Sequence, residues 1–351
     1  MTRPTLIPGL PRAWRTPVEL QLGLDPDHAV RIELADPRTA EVLDLLDGTR
    51  PERLVLLDAA ERGVPPGDAR RLLDTLRDAG LILPAESLLP ATLPAAERQR
   101  LLGEAAALAI AARVSGDPHA HPARALRRRR AAQVVLRGRG RLGAPLAVAL
   151  AEAGVGHVHP DLTGAVGPAE LAGGPLRAAD VGGARRAAVA AAVARTVPAT
   201  QVRGTRRMPA TLVVQLAHDE PTALIAAAYA ARRQPHLALG IRDGAGVVGP
   251  LVPATGGPCL YCLDLHRHDR DPDWPGPPAP EHAEPCAVAT VLAAAAYATA
   301  EVLTFLDGGR PATAGAVVEI RAPGQARRRT WTPHPHCSCQ SGRRNNRTFV
   351  T

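Results

Sequence analysis

Four of the five cysteines in this chain fall into two tight pairs far apart in sequence, Cys259-Leu-Tyr-Cys262 and Cys337-Ser-Cys339. A fold that brings two short thiol pairs together makes a tetrahedral thiolate shell with no open position, the donor set of a structural Zn²⁺. The single residue between Cys337 and Cys339 narrows the second bite, but a turn still presents both sulfurs. Two disulfides or four unrelated thiols are the alternatives. A secreted disulfide framework fits poorly, because five cysteines in 351 residues is sparse and Met1-Thr2-Arg3-Pro4 begins no apolar signal core. A redox Cys-x-x-Cys opens a helix after a strand; here Pro258 precedes the pair and Leu260-Tyr261 supply apolar packing within it. The reading is zinc, structural rather than catalytic, on Cys259, Cys262, Cys337 and Cys339.

A length of 351 residues suggests two domains, and a hydrophobic fraction of 46% supports globularity although aromatics are only 2%. Lysine is absent, so the net charge of +8 is carried by arginine. That charge permits nucleic-acid or acidic-peptide binding. The excess, however, sits in Arg127–Arg130, Arg327–Arg329 and Arg343-Arg344, which read as solvated segments rather than a groove. The alanine-rich run Ala287–Ala300 is short of a bilayer span and is followed by Glu301. The expectation is a cytoplasmic protein with neither a nucleic-acid nor a membrane partner.

Residues 1–87 read as a small winged-helix domain. Val18–Leu24 and Val30–Leu34 flank the turn Asp25-Pro26-Asp27-His28 as a hairpin. Helices are expected over Thr39–Leu46, Pro51–Arg62 and Asp68–Ala79, the last with Leu72, Leu73 and Leu76 on one face. Leu81–Leu83 returns as a strand. The three-helix stretch carries more acids than arginines, whereas duplex binding needs net neutralisation of phosphates. Peptide binding by strand addition at the hairpin edge suits the module better, with a packing-only role as the alternative. Residues 88–130 read as a connector holding a helical run, Ala95–Arg113, and a Pro-rich loop. His119 and His121 in that loop are read as solvent-exposed, with metal binding as the alternative.

Residues 131–340 read as α/β, with a Rossmann-like doubly wound sheet, and residues 341–351 as a basic tail. Strand Gln133–Leu136 runs into Gly138-Arg-Gly140-Arg-Leu-Gly143 and then an alanine- and leucine-rich helix. A Gly-x-Gly-x-x-Gly between strand and helix presents backbone N–H groups and a helix N-terminus to phosphates. Helices Gly183–Arg195, Glu220–Arg232 and Cys286–Leu306 alternate with strands Thr211–Leu216, His236–Leu239, Val247–Val252 and Ala316–Arg321, as a doubly wound sheet requires.

Over roughly 131–340 the chain resembles the ThiF/MoeB/HesA family, bacterial relatives of ubiquitin-activating enzymes. The resemblance rests on Val134–Gly143, on Leu150-Ala-Glu-Ala-Gly-Val-Gly156, and on the two cysteine pairs flanking the last helix and strand. It implies a Rossmann-like fold, a structural zinc held by four cysteines, a homodimer or hetero-complex, and ATP- and Mg²⁺-dependent adenylylation of a peptide or small carrier protein at its C-terminal carboxylate. The N-terminal module resembles the leader-recognition modules of azoline-forming cyclodehydratase systems, whose partner enzyme is of YcaO type. The stretch from Gly257 to Pro275 looks like an actinobacterial subgroup of these proteins.

The resemblance also assigns site residues. Gly138, Gly140 and Gly143 face phosphates, and Asp161 sits near the ribose-binding acid. Arg185, in Gly182-Gly-Ala-Arg185, stands where the family has its phosphate lysine, a change that keeps charge but alters geometry. Of the family's Asp-x-x-Asp-Asn, the segment Gln215-Leu-Ala-His218-Asp219 keeps only Asp219, displaced by one. No arginine in Ala165–Leu171 matches the family's Asn-x-x-Arg-Gln. Cys286 lies where thioester- or persulfide-forming members carry a cysteine, at a helix start that lowers thiol pKa, with His282 nearby; the plainer reading is a small buried residue. His266, His268, His334 and His336 flank the cysteine pairs and read as surface residues.

Three functions follow as expectations. The leading one is a degenerate adenylyltransferase fold serving as a leader-peptide-binding scaffold. The second is an active ATP-dependent adenylyltransferase. The third is a nicotinamide-dependent oxidoreductase, against which stand the cysteine pairs and the lack of a clear acidic residue ending the second strand.

Overall fold

The computed structural model describes residues 2–116, 121–204, 209–274 and 284–340. His119, His282, Pro275 and the tail from 341 lie outside the described residues. Residues 1–127 and 128–351 form separate compact units, with the division inside a helix, Pro122–Ala131.

Strand β1 (Pro4–Leu6) opens the first unit, and β2 (Arg12–Trp14), β3 (Glu19–Leu22) and β4 (Val30–Glu33) form an antiparallel sheet in that order. Alternation along the central strands sends Leu20, Leu22 and Ile32 into the core. Next comes a 3₁₀ segment, Pro37–Leu45, where an α-helix was expected. Thr39, Val42 and Leu45 are buried at three-residue spacing, the period of a 3₁₀ face rather than an α face. The Asp36 carboxylate caps its start by accepting from the Arg38 N–H at 2.9 Å. Helices α1 (Glu52–Glu61) and α2 (Pro66–Asp78) follow, and α2 buries Ala69, Leu72, Leu73 and Leu76 as one stripe. The returning strand β5 (Ile82–Pro84) pairs with β1 rather than with the hairpin. After α3 (Ala85–Leu88), the long α4 (Ala95–Ser115) packs Leu101, Ala105 and Ala109 against Ile7, Leu88 and Leu93.

The second unit begins with the end of α5 (Pro122–Ala131), where Arg129 donates from Nε and Nη2 to the carboxylate of Asp307 at 2.9 and 2.7 Å and from Nη1 to Ala153 O at 3.2 Å. A seven-stranded mixed sheet follows. Strands β6 (Gln133–Gly138), β7 (His157–Leu162), β8 (Leu212–Gln215) and β9 (His236–Arg242) are parallel. Strands β10 (Ala245–Val252), β11 (Ala316–Ala322) and β12 (Gln325–Thr330) continue it antiparallel, giving the order β12-β11-β10-β9-β8-β6-β7. Gln201 adds a parallel bridge outside β7 through His157. The chain thus moves outward from β6 through β7 to Gln201, then returns past β6 to β8. The direction reverses beside the C-terminal end of β6, the place where open α/β sheets bind ligands.

Helices cover both faces of this sheet. On one face α6 (Gly143–Glu152), α7 (Arg185–Thr196) and α10 (Val288–Asp307) bury Leu146, Leu150, Val189, Val193, Val291 and Val302 on Val134, Leu136, Val158 and Val214. On the other, α8 (Thr222–Ala231) meets Val135 and Val213 through Tyr229, and α9 (Leu260–His268) meets Val252 and Val317 through Leu263. Helix α10 is 20 residues of apolar sequence, long enough to cross a bilayer, yet it is the core helix of the sheet.

The expected strict alternation of strand and helix stops at β9. Strands β9 and β10 form a hairpin through Asp243 and Gly244, both at positive φ (51° and 78°), as a two-residue type I′ turn needs. Strands β11 and β12 form another through Pro323-Gly324. The Asp-Gly and Pro-Gly pairs between strand-like runs are the signals that a helix-by-helix reading passed over.

Candidate functional site

The glycine loop lies at the sheet's reversal point. Gly138 (φ 110°) and Gly140 (φ 121°) hold conformations closed to other residues, and a Cβ on Gly138 would lie 2.4 Å from Ala217 O. Arg139 N–H donates to Ala217 O at 2.9 Å and Thr163 N–H to Gly138 O at 2.9 Å, so the loop is pinned between the ends of β7 and β8. Gly143 opens α6 close against Leu162 and Leu216, where a Cβ would sit 3.3 Å from a methyl of each.

The charged residues named from sequence gather near this loop, each against a partner. Asp161, on β7, accepts from Arg137 Nε on the neighbouring strand at 3.1 Å. Asp219 forms a two-point ion pair with Arg139, which holds its carboxyl below the usual range. Arg185, on the first turn of α7, is nine-tenths buried. Its Nε and Nη2 donate to Glu170 at 2.9 and 2.7 Å, Nη2 also to Ala165 O at 2.6 Å, and Nη1 to Thr163 O. That guanidinium ties the loop after β7 to the start of α7, a different occupation from the phosphate contact implied by resemblance. Glu170, which also accepts from Gly167 N–H at 2.9 Å, was missed because nothing in its local sequence marks it as the partner of an arginine across the loop.

A second residue missed from sequence is Glu284. Its Oε2 accepts from the backbone N–H of Arg141 at 3.0 Å, inside the glycine loop. Burial pushes its carboxyl above the ordinary range, against the pull of Arg141. Cys286 lies two residues on. Its thiol donates to Gly244 O at 3.3 Å, and burial raises its pKa. α10 begins at Val288, so Cys286 lies just before its N-cap, Ala287, with its thiol hydrogen committed to Gly244 O.

The four remaining cysteines meet on the other face of the sheet. Cys259 caps α9, Cys262 lies in its first turn, and Cys337 and Cys339 arrive after β12. All four Sγ atoms lie within 4.8 Å of one another. The pairs 259–262, 259–337 and 262–339 are 3.7, 3.6 and 3.4 Å apart, so none is a disulfide. A tetrahedron with metal–sulfur bonds of about 2.3 Å has edges of about 3.8 Å, and the cluster fits a metal ion. As thiols the sulfurs crowd one another: burial pushes Cys337 up to about 12, while hydrogen bonds from Cys259 and Cys339 lower Cys262.

The flanking histidines differ in kind. His334 is buried, not on the surface, with Nε2 2.8 Å from Asp269 Oδ2. His266 Nε2 lies 3.0 Å from Thr332 O, while His268 and His336 are exposed. These contacts fasten α9 to the segment leading into Cys337. The described residue of the two in the connector loop, His121, is exposed.

The ThiF family profile matches residues 118–341, more than half of the chain. No curated protein sequence matches. Among solved structures, E. coli MccB with ATP superposes at a TM-score of 0.63 with 16% identity, covering 96% of this chain and 99% of that one. E. coli MccB with AMPCPP and MccA gives 0.63 and 16%, covering 97% and 99%. PaaA gives 0.63 and 15%, covering 92% and 98%. At such identities the structural likeness speaks for the fold, and with the profile match it establishes that the chain belongs to the ThiF family.

Proposed function

We propose that this chain is a peptide-binding member of the ThiF family. Its N-terminal unit, read as a winged helix, docks an extended segment of a precursor peptide, and its glycine-loop site turns ATP over slowly or not at all on its own. The carrying observation is the edge of β4, which has no second strand beside it among the described residues. β3 is flanked by β2, so the hairpin's open side is β4. Leu34 N–H donates to Val18 O at 2.8 Å. In the same register Ile32 and Val30 face β3, which leaves the N–H and C=O of Arg31 and Glu33 directed outward. Two such residues are the template that strand addition uses. The slow turnover follows from the loop's arginines: Arg137, Arg139 and Arg185 are each occupied by an acid of the chain. The thiolate cluster is read as a structural zinc site, and the partner enzyme as YcaO-type.

Peptides selected on the full chain from a displayed library, measured by fluorescence anisotropy, test this reading. Arg31→Pro removes one outward N–H at an edge where proline leaves the sheet intact. Affinity should fall about tenfold or more, the worth of a lost buried hydrogen bond with its neighbours. Undiminished binding would exclude the β4 edge.

The second reading, an active adenylyltransferase for a peptide or carrier carboxylate, is favoured by the near full-length match to MccB, a protein crystallised with ATP and with MccA. Robust peptide-dependent pyrophosphate exchange would place it first.

A further inference from the structure

The anion that lies against the glycine loop is the chain's own. Besides the hydrogen bond from Arg141 N–H to Glu284 Oε2, Arg141 Nη1 donates to the carbonyls of Glu284 and Cys286 at 3.1 and 2.7 Å. A Cβ on Gly140 would lie 2.8 and 2.9 Å from the two carboxylate oxygens. The carboxylate therefore rests on the very stretch of backbone that a phosphate would need to approach. Arg141 Nε is buried and has no hydrogen-bond partner among the described residues. The loop therefore keeps a donor that the carboxylate does not use.

We infer that Glu284 is a built-in competitor for nucleotide phosphate, holding the glycine loop filled until the carboxylate is displaced. The inference rests on the reading of this loop as the nucleotide site. Carboxylate and phosphate oxygens take the same N–H donors, and two anions on one loop repel. With Arg137, Arg139 and Arg185 already paired to Asp161, Asp219 and Glu170, no spare arginine among these offsets that repulsion. An incoming phosphate gains the loop only as Glu284 leaves it, and then also meets the unused Nε–H of Arg141. A capping role for Glu284 in the fold alone makes the opposite prediction, since a lost cap loosens the loop and weakens any ligand held there.

Isothermal titration of the full chain with AMPCPP and Mg²⁺ separates these cases, using wild type, Glu284→Gln and Glu284→Ala, each checked by thermal melting. Glu284→Ala should bind about tenfold tighter or more, the scale of one charge-assisted hydrogen bond. Glu284→Gln should fall between, because the amide keeps an acceptor and loses the charge. Equal or weaker binding by both variants would overturn the inference while leaving the nucleotide reading in place. Absence of binding by all three folded proteins would overturn the nucleotide reading, and the inference with it.

Discussion

The guanidinium of Arg185 gives its N–H groups to Glu170, Thr163 and Ala165, so a substitution there acts on the fold before it acts on any ligand. Removing one partner of a buried pair leaves the other charge uncompensated and costs about 3–5 kcal/mol. Arg185→Ala and Glu170→Ala should both lower the melting temperature. The double variant should lose less than the two single losses added together, the mark of a direct pair in a mutant cycle. Additive losses would show that the pair is not the unit. The family resemblance placed Arg185 near the site, where the family has its phosphate lysine, but the partner 15 residues away depends on how the loop after β7 folds back. Glu284 was hidden for the same reason: it lies 143 residues from the loop it touches. The three glycines were legible because positive φ and close packing leave few other residues to choose from. Cys286 was read as either an activated thiol or a small buried residue at a helix start; it is half-buried there, with its thiol donating to Gly244 O.

At the scale of the element, α9 and the segment from Trp331 to Cys339 behave as one clasp. Its sulfurs sit at one end, and the His266–Thr332 and His334–Asp269 contacts lie beside them. Elemental analysis should find one zinc per chain, lost in Cys337→Ser, and a strong chelator should lower the stability of the second unit, because structural metal contributes folding free energy directly. A metal content unaltered by Cys337→Ser would refute the assignment. Both cysteine pairs were legible because thiol spacing is a local signal. The elements built from period-3.6 stripes, such as α2, were also legible. The hairpins β9–β10 and β11–β12 were not, because an expectation of alternating helices overrode their turn dipeptides. Strands β1 and β2, at three residues each, are too short to show a period.

For the whole molecule, the paired state of the arginines around the glycine loop predicts slow or absent pyrophosphate exchange from the protein alone. Each missing charge-stabilising contact costs two to three orders of magnitude in rate, roughly 3–4 kcal/mol of barrier. Fast exchange abolished by Glu170→Ala, which frees Arg185, would contradict that account. The fold class was legible because the strand–glycine–helix order is written locally. The sheet's antiparallel half and the pairing of acids with arginines are not, since both arise only when distant segments meet. The Arg129–Asp307 pair carries a practical consequence for dissecting the chain. A fragment begun at residue 131, where the first strand-like run suggests a cut, would strip Arg129 from the C-terminal end of α10 and leave Asp307 and Ala153 O without their donors. Such a fragment should express as an aggregating or protease-sensitive species, whereas one begun at Pro122 should resist limited trypsin digestion: the working boundary of the second unit lies upstream of its first strand.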